Sequence, residues 1–362
     1  MNWRRIMRWL VGIVAAVVLT GGTFIASGGA TARAAPGVAA YRVPHEVSKF
    51  TLGETSYDGP ALWTQRGPSA PAGPLAVLAW TGTDSRLNFV FTNDGVSYFG
   101  KKTLNETSFV RPAVVRGQGV GGSVAPVVLA WTGTDAGHRL NVLYDVPGAA
   151  PMKLTLWSDN SFTSPAIEWL GGNTNTLLLA WAGTDAGHAL NILPINVTDQ
   201  GLVTGTKITQ WNFHSFGQPA LIHDYTILPK DTRFFLSWSD MASRRIAWAT
   251  SPDGKMWTQQ PTFYETSGSA PSMIGLNETL AHMPPYWLGW TGTDAAHHVN
   301  VLYALDINQW TTNFVKATLP ETAVGGTVIG FFLAAPPHDD QMLVAWTGTD
   351  AAHHLNVAWV GV

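Results

Sequence analysis

Along this chain, blocks of five or six consecutive apolar residues end in tryptophan, give way to a short polar loop, and resume as a second apolar run. "PVVLAW" at 126–131, "LLLAW" at 177–181 and "MLVAW" at 342–346 are examples. Blocks this short fit strands rather than helices. A strand apolar on both faces is covered on both faces, whereas a one-sided sheet would alternate. The whole phrase is nearly verbatim at 78–90 ("LAWTGTDSRLNFV"), 129–143, 179–193, 288–302 and 344–360. A degenerate copy, "FLSWSDMASRRIAWATSPDG", is centred on Trp238. The six tryptophans Trp80, Trp131, Trp181, Trp238, Trp290 and Trp346 are spaced 51, 50, 57, 52 and 56 residues apart.

Two further marks accompany each phrase. Upstream is a short apolar strand: "GPALW" (59–63), "RPAVV" (111–115), "SPAIEW" (164–169), "QPALI" (218–222), "APSMI" (270–274) and "GTVIGFFL" (326–333). Downstream is a strand of the type "KKTLNETS" (101–108), with relatives "KLTLWSDNS", "KITQWNFHS", "FYETS" and "KATLPETA". Four strands in roughly 50 residues describe one blade of a β-propeller. A β-helix has a shorter period, and a sandwich does not repeat in this way. The downstream mark also occurs ahead of the first phrase, as "KFTLGETS" (49–56), while the last phrase reaches Val362 with none after it. The expected architecture is therefore an all-β, six-bladed propeller of four-stranded antiparallel blades. The spare N-terminal strand would pair with the C-terminal blade, leaving no open edge at the seam.

Composition agrees with an all-β chain: 46% hydrophobic, only 12% charged, with 37 Gly, 22 Pro and 17 Trp in 362 residues. Residues 1–34 read as a signal peptide, with Arg4, Arg5 and Arg8 ahead of an apolar run and Ala32-Arg33-Ala34 as the cleavage site near Ala34–Ala35. An uncleaved N-terminal anchor is the alternative. Residues 35–47 read as a linker and 48–362 as the single propeller domain. Cleavage would move the net charge from −3 to −7, which leaves no basic face for nucleic acid. The chain has no cysteine, so a secreted form would be held by burial alone. The expectation is a secreted monomer with no membrane insertion after cleavage and no cofactor.

"TNDGVSY" (92–98) and "SPDGKMW" (251–257) resemble the Asp-box of sialidases and related propellers, and "LDINQW" (305–310) is a looser version. Asp94, Gly95, Asp253 and Gly254 would be structural turn residues: Asp bonds the turn amides and Gly takes the left-handed position. The same resemblance raises sialidase-like exo-glycosidase activity as an alternative. "YRVP" at 41–44 resembles that family's Phe/Tyr-Arg-Ile-Pro motif but precedes an outer strand, and Arg111 stands in a better place without the motif's spacing. No arginine triad stands out among Arg42, Arg66, Arg86, Arg111, Arg116, Arg139, Arg233, Arg244 and Arg245. Glu168, Asp224 and Asp240 are the carboxylates to consider for a glycosidase pair. Repeat four, with Asp240, Arg244 and Arg245 in place of the standard loop, is where catalysis would be sought.

The phrase itself admits two readings. In one it is a folding device: Gly supplies a positive φ, Thr and Asp satisfy turn amides, and Trp fills the wedge between blades. In the other it is a set of equivalent ligand sites on one face, built from Asp135/His138, Asp185/His188, Asp294/His297 and Asp350/His353 with Trp131, Trp181, Trp290 and Trp346. Flat aromatic faces with nearby Asp and His suit sugars, and repeated sites on a ring gain avidity on a multivalent glycan. Zn²⁺ ligation by the same Asp and His is a third reading, but neighbouring loops diverge, so no metal is assigned. The expectation is a lectin-like carbohydrate-binding protein, with binding preferred over catalysis; a structural or protein-interaction platform is the remaining alternative.

Overall fold

The doubly apolar runs are the second strands of antiparallel sheets, and their side chains are enclosed from both sides. In the computed structural model, residues 42–65, 74–117, 125–171, 175–224, 233–275, 285–305, 310–331 and 341–362 are described. The signal segment 1–34, residues 35–41 of the linker, Arg66, the 332–333 end of the sixth upstream strand and most of the "LDINQW" turn lie outside them. All regular elements among the described residues are strands, and Tyr41–Val362 form one compact unit.

Strand β1 is His45–Thr55. The first repeat is the sheet β2 (Ala61–Thr64), β3 (Ala76–Thr81), β4 (Arg86–Thr92), β5 (Tyr98–Thr107), in that order. The second is β6 (Ala113–Arg116), β7 (Val127–Thr132), β8 (Arg139–Asp145), β9 (Met152–Asn160). The third is β10 (Ala166–Trp169), β11 (Thr176–Ala182) and β12 (Ala189–Thr198), with β13 (Gly201–Thr204) and β14 (Ile208–His214) both paired to β12. The extra β13 is a hairpin continuation that four-strand counting did not anticipate. The fourth is β15 (Ala220–Asp224), β16 (Arg233–Ser239), β17 (Ile246–Ser251), β18 (Thr258–Gln259). Its outer strand is cut short just before Pro261, which has no N–H for a ladder; "FYETS" resumes the edge as isolated bridges such as Arg245 with Thr266.

The last two repeats share a strand. β19 (Ser272–Gly275), β20 (Tyr286–Thr291) and β21 (His298–Ala304) pair with the first half of β22 (Val315–Phe331). Its second half pairs with β23 (Gln341–Gly348), which pairs with β24 (His354–Gly361). The change of partner falls between Thr322 and Ala323, and the register shift that follows, between Val324 and Val328, contains Gly325 at φ 73°. β1 then pairs antiparallel with β24, from His45 opposite Gly361 to Thr55 opposite His354. It begins three residues ahead of the expected domain start. Its side chains alternate between exposed and half-buried, the pattern of an outermost strand.

Six apolar clusters hold these sheets, each shared by two consecutive repeats, and one of them joins β23 and β24 to β3 through Trp80, Leu78, Leu343 and Trp359. The first strands touch in a cycle: β2 with β6, then β10, β15, β19 and β22, and β22 with β2. A buried indole removes about 150–250 Å² from water, worth about 4–6 kcal/mol at roughly 25 cal/mol per Å².

One polar bolt recurs in every repeat that keeps the asparagine after the loop. The Nδ2 groups of Asn88, Asn141, Asn191, Asn300 and Asn356 donate to the carbonyl two residues back. Their Oδ1 atoms accept from Thr103, Thr155, Thr209, Thr318 and Thr51 of the outer strand, at 2.6–2.7 Å. The last of these bonds joins β1 to β24. Thr51→Val and Thr103→Val will therefore each cost about 1–2 kcal/mol, because each strands a buried amide oxygen. Urea denaturation checks this, and the two losses will agree if the N-terminal strand is bolted like an internal one.

Candidate functional site

The loop between second and third strands turns through one left-handed residue in all six repeats. Its key residue is left-handed: Ser85, His138, His188, Arg244, His297 and His353 have φ of 66, 47, 50, 58, 56 and 55°. The aspartate ahead of it folds back onto the turn. Asp135 accepts from Gly137 N (2.9 Å), Asp185 from Gly187 N (3.0 Å), Asp294 from Ala296 N (3.1 Å) and Asp350 from Ala352 N (3.1 Å). The carboxylate sits against the preceding glycine: a Cβ on Gly133 would fall 2.8 Å from Asp135 Oδ2. A side chain there would displace the carboxylate from its turn.

The rest of the phrase locks one repeat to the next. Ser108, at the end of β5, donates its N–H to the Ser85 carbonyl of its own repeat and its hydroxyl to the Thr132 carbonyl of the following one. Ser56, Ser161 and Ser267 repeat that cross-link onto Thr81, Ala182 and Thr291, and all of these serines are fully buried. The loop threonines Thr134, Thr293 and Thr349 meet Thr107, Thr266 and Thr322 of the preceding outer strand at 2.6–2.7 Å. Outer strands are further tied by Lys101–Glu54, Lys153–Glu106 and Lys207–Asp159, each at 2.7 Å, and by Lys316–Glu265 and Lys49–Glu321.

The expectation that Trp131, Trp181, Trp290 and Trp346 offer faces to a ligand is corrected. They are 0–1% exposed, packed between sheets, with Lys153, Lys316 and Lys49 over the rings of Trp131, Trp290 and Trp346. Each indole is enclosed between its own sheet and that of the preceding repeat. The histidines divide. His138 lies between Phe109 and Phe162, at 4.9 and 5.2 Å between centroids, and His353 lies 5.5 Å from Tyr57. His297 Nδ1 is 3.3 Å from the Gly292 carbonyl, and the His188 N–H donates to Asp185 O at 3.0 Å. The following residues, His298 and His354, bond Asp294 and Asp350 at 2.8 Å. No group of three or more potential metal ligands occurs among the described residues.

At the other end of the sheets, Asp94 accepts from Val96 N and Ser97 N at 2.9 and 2.7 Å, and Asp253 from Lys255 N and Met256 N at 2.8 and 3.0 Å. Gly95 and Gly254 take φ of 67 and 72°, and the Tyr98 hydroxyl and Trp257 indole N–H close back on their carbonyls at 3.1 Å. The backbone N–H bonds from Met256 and Lys255 hold the Asp253 carboxyl below its ordinary value despite its slight desolvation.

The carboxylates considered for catalysis are dispersed. Glu168 and Arg111 are both buried and line an axial cavity of about 80 Å³ among the first strands, room for a few waters. Among the described residues, Glu168 is the one acid in that lining. Arg111 is fixed by Gln218 and the Pro60 carbonyl. Asp240 lies in the fourth loop, accepting from Ser243. Of Asp224, the backbone alone is described.

Sequence reasoning missed the exposed aromatics at the loop-bearing end. The first residue of the outer-strand bulge is Gly53, Asn105, Trp157, Trp211, Tyr264 and Pro320 in successive repeats. Trp157, Trp211 and Tyr264 are 75, 70 and 81% exposed. The Arg139 guanidinium lies 4.5 Å from the Trp157 ring and 3.4 Å from Asp135. Aligning "KLTLWSDNS" with "KKTLNETS" shows the signal: a tryptophan where the scaffold needs no particular side chain.

No family model matches the chain, and no curated protein is similar to it in sequence. Solved structures are similar in fold. A protein of unknown function from Dyadobacter fermentans DSM 18053 superposes with a TM-score of 0.59 at 13% identity, over 89% of this chain and 100% of its own. A mutant of Aleuria aurantia lectin in complex with alpha-methyl-L-fucoside gives 0.56 at 9%, over 85 and 96%. A triple mutant of AofleA from Arthrobotrys oligospora gives 0.57 at 10%, over 87 and 86%. The chain has an all-β fold of propeller type, shared with these structures.

The Asp–His loops carry an acid-stability signature. Desolvation pushes Asp294 and Asp350 up, but their bonds to His298 and His354 and to turn amides outweigh it, and both lie below the ordinary 3.8. A depressed carboxyl stabilises the fold fully above the unfolded value and loses that contribution as pH falls through the folded one. Replacing both aspartates with asparagine will therefore flatten the fall in unfolding free energy between roughly pH 5 and pH 2, as measured by denaturation across a pH series.

Proposed function

We propose that this chain is a secreted, six-bladed β-propeller that binds carbohydrate at the end carrying the Thr-Gly-Thr-Asp loops. Six inter-sheet clusters, the cycle of first-strand contacts and the β1–β24 ladder support six blades and closure of the ring. The signal-like residues 1–34 support secretion.

The observation that carries the binding reading is the cluster at Trp157. A flat ring stands 75% exposed, with a guanidinium on it and a carboxylate beside that guanidinium. Sugars present a C–H face that stacks on such rings and hydroxyls that bond Arg and Asp side chains. An exposed indole on the outer strand adds nothing to the core, so folding does not require it. Trp211 and Tyr264 hold the corresponding position in the next two blades, which offers neighbouring contacts to one glycan chain. The Aleuria aurantia lectin structure with a bound fucoside has the same fold and agrees with this reading. The binding groups differ from those expected: Asp135 remains, joined by Arg139 and Trp157, while the phrase tryptophans serve the interior.

The test is a glycan array followed by calorimetry on the best neutral ligand. Trp157→Ala combined with Trp211→Ala will weaken binding by about ten-fold or more, with stability changed by no more than about 0.5 kcal/mol. An array blank for every glycan, or affinity unchanged in the double variant, contradicts the reading.

A further inference from the structure

Repeat four has lost the shared loop and replaced it with a different built structure. Asp240 occupies the place of the loop glycine, bridging Ser215 as Gly133 bridges Ser108. Its carboxylate caps the shorter turn, accepting from Ser243 N at 2.8 Å and Ser243 Oγ at 2.6 Å. The backbone is fixed on both sides: Asp240 N donates to Arg245 O at 2.8 Å, and Ser267 N to Arg244 O at 3.0 Å. The turn therefore keeps the shared left-handed geometry at Arg244 while presenting two consecutive arginines.

Each arginine rests on an aromatic ring. The Arg244 guanidinium covers Phe216, on the connection entering the repeat, and that of Arg245 lies 5.4 Å from the ring of Tyr264, on its outer edge. Neither forms an ion pair among the described residues. The acids nearby in sequence are already engaged, Asp240 with the turn and Glu265 with Lys316. Elsewhere at this end, Arg139 is paired with Asp135. Guanidiniums bind oxyanions through charge-assisted, paired hydrogen bonds, and a ring beneath them suits the C–H face of a pyranose. The chain as a whole is acidic, with a net charge of −3, so general electrostatics disfavour anions and attraction would have to be local.

We infer that the fourth loop is a subsite for an acidic sugar, the oxyanion meeting Arg244 and Arg245 and the sugar ring stacking on Tyr264. This rests on the carbohydrate-binding reading and gives it a charge preference at one blade. The shared ligand chemistry is a sugar-borne oxyanion, and its two sources are a uronate carboxylate and a sulfate ester.

The experiment titrates the full chain with oligogalacturonate, with its methyl ester, with a sulfated dextran oligomer, and with the neutral glycan chosen from the array. Oligogalacturonate will bind in a salt-sensitive manner, and both the methyl ester and the R244Q/R245Q variant will weaken that binding by about ten-fold. The same variant will bind the neutral glycan within two-fold of the parent, which also shows that it folds. Sulfated dextran binding as tightly as oligogalacturonate would assign the site to oxyanions generally; weaker binding would assign it to carboxylates. Equal affinity for acid and ester, or an unaffected variant, overturns the subsite and leaves the lectin reading standing. Absence of binding to any glycan, neutral ones included, overturns the lectin reading and the subsite with it.

Discussion

Everything in this molecule depends on a hydrogen bond that leaves one repeat for the next. At four of these junctions a fully buried serine at the end of an outer strand, Ser56, Ser108, Ser161 or Ser267, gives its hydroxyl to the end of the following repeat's second strand, as Ser108 does to Thr132. Each four-stranded sheet is too small to bury its own faces. Its apolar clusters are completed by the neighbouring sheet, so Trp131 belongs to the interior between repeats one and two. Such units are stable only in series, and a series of wedges must end in a cap or return to its start. Here Ser56, from β1, latches onto Thr81 of the first repeat, while β1 itself is hydrogen-bonded to the last strand of the chain.

The same constraint decides where recognition can occur. The loop aspartates satisfy turn amides, the loop threonines meet their neighbours, and the phrase tryptophans fill the wedges. Those side chains recur because one repeat after another packs in the same way. On the proposed reading, ligand chemistry falls to positions the scaffold leaves free, where repeats differ: Gly53, Asn105 and Pro320 on one half of the series, Trp157, Trp211 and Tyr264 on the other. The departure of repeat four from the common loop is the same kind of freedom, used for charge.

Much of the fold was legible in the sequence because it is written in repetition. Doubly apolar runs gave the second strands, and the spare "KFTLGETS" anticipated the pairing of the chain's two ends. Local detail was less legible. The fusion of outer and inner strands in β22 depends on Gly325 bending a continuous strand, and β13 on a hairpin between Asn196 and Gly201; neither has a period. The candidate site was legible only as two alternatives, a folding device or a set of ligand sites. Repetition of Trp-x-Gly-Thr-Asp fits equivalent ligand sites and identical packing alike, and the tryptophans are buried, as packing demands. What distinguishes an exposed Trp157 from a buried Trp131 is its register on the outer strand, visible only by comparing repeats.

The most direct test of the account is native-state hydrogen exchange along β24, residues 354–361. With β1 in place, amides facing either neighbour will be protected as strongly as those of β4 and β8, interior strands of other repeats. In a chain beginning at Tyr57, the half that faced β1 will exchange fast, and adding the peptide 45–56 will restore their protection. Alternating fast amides along β24 in the intact protein, or no change on removing the N-terminal strand, would contradict the claim that the chain's two ends are joined in one sheet.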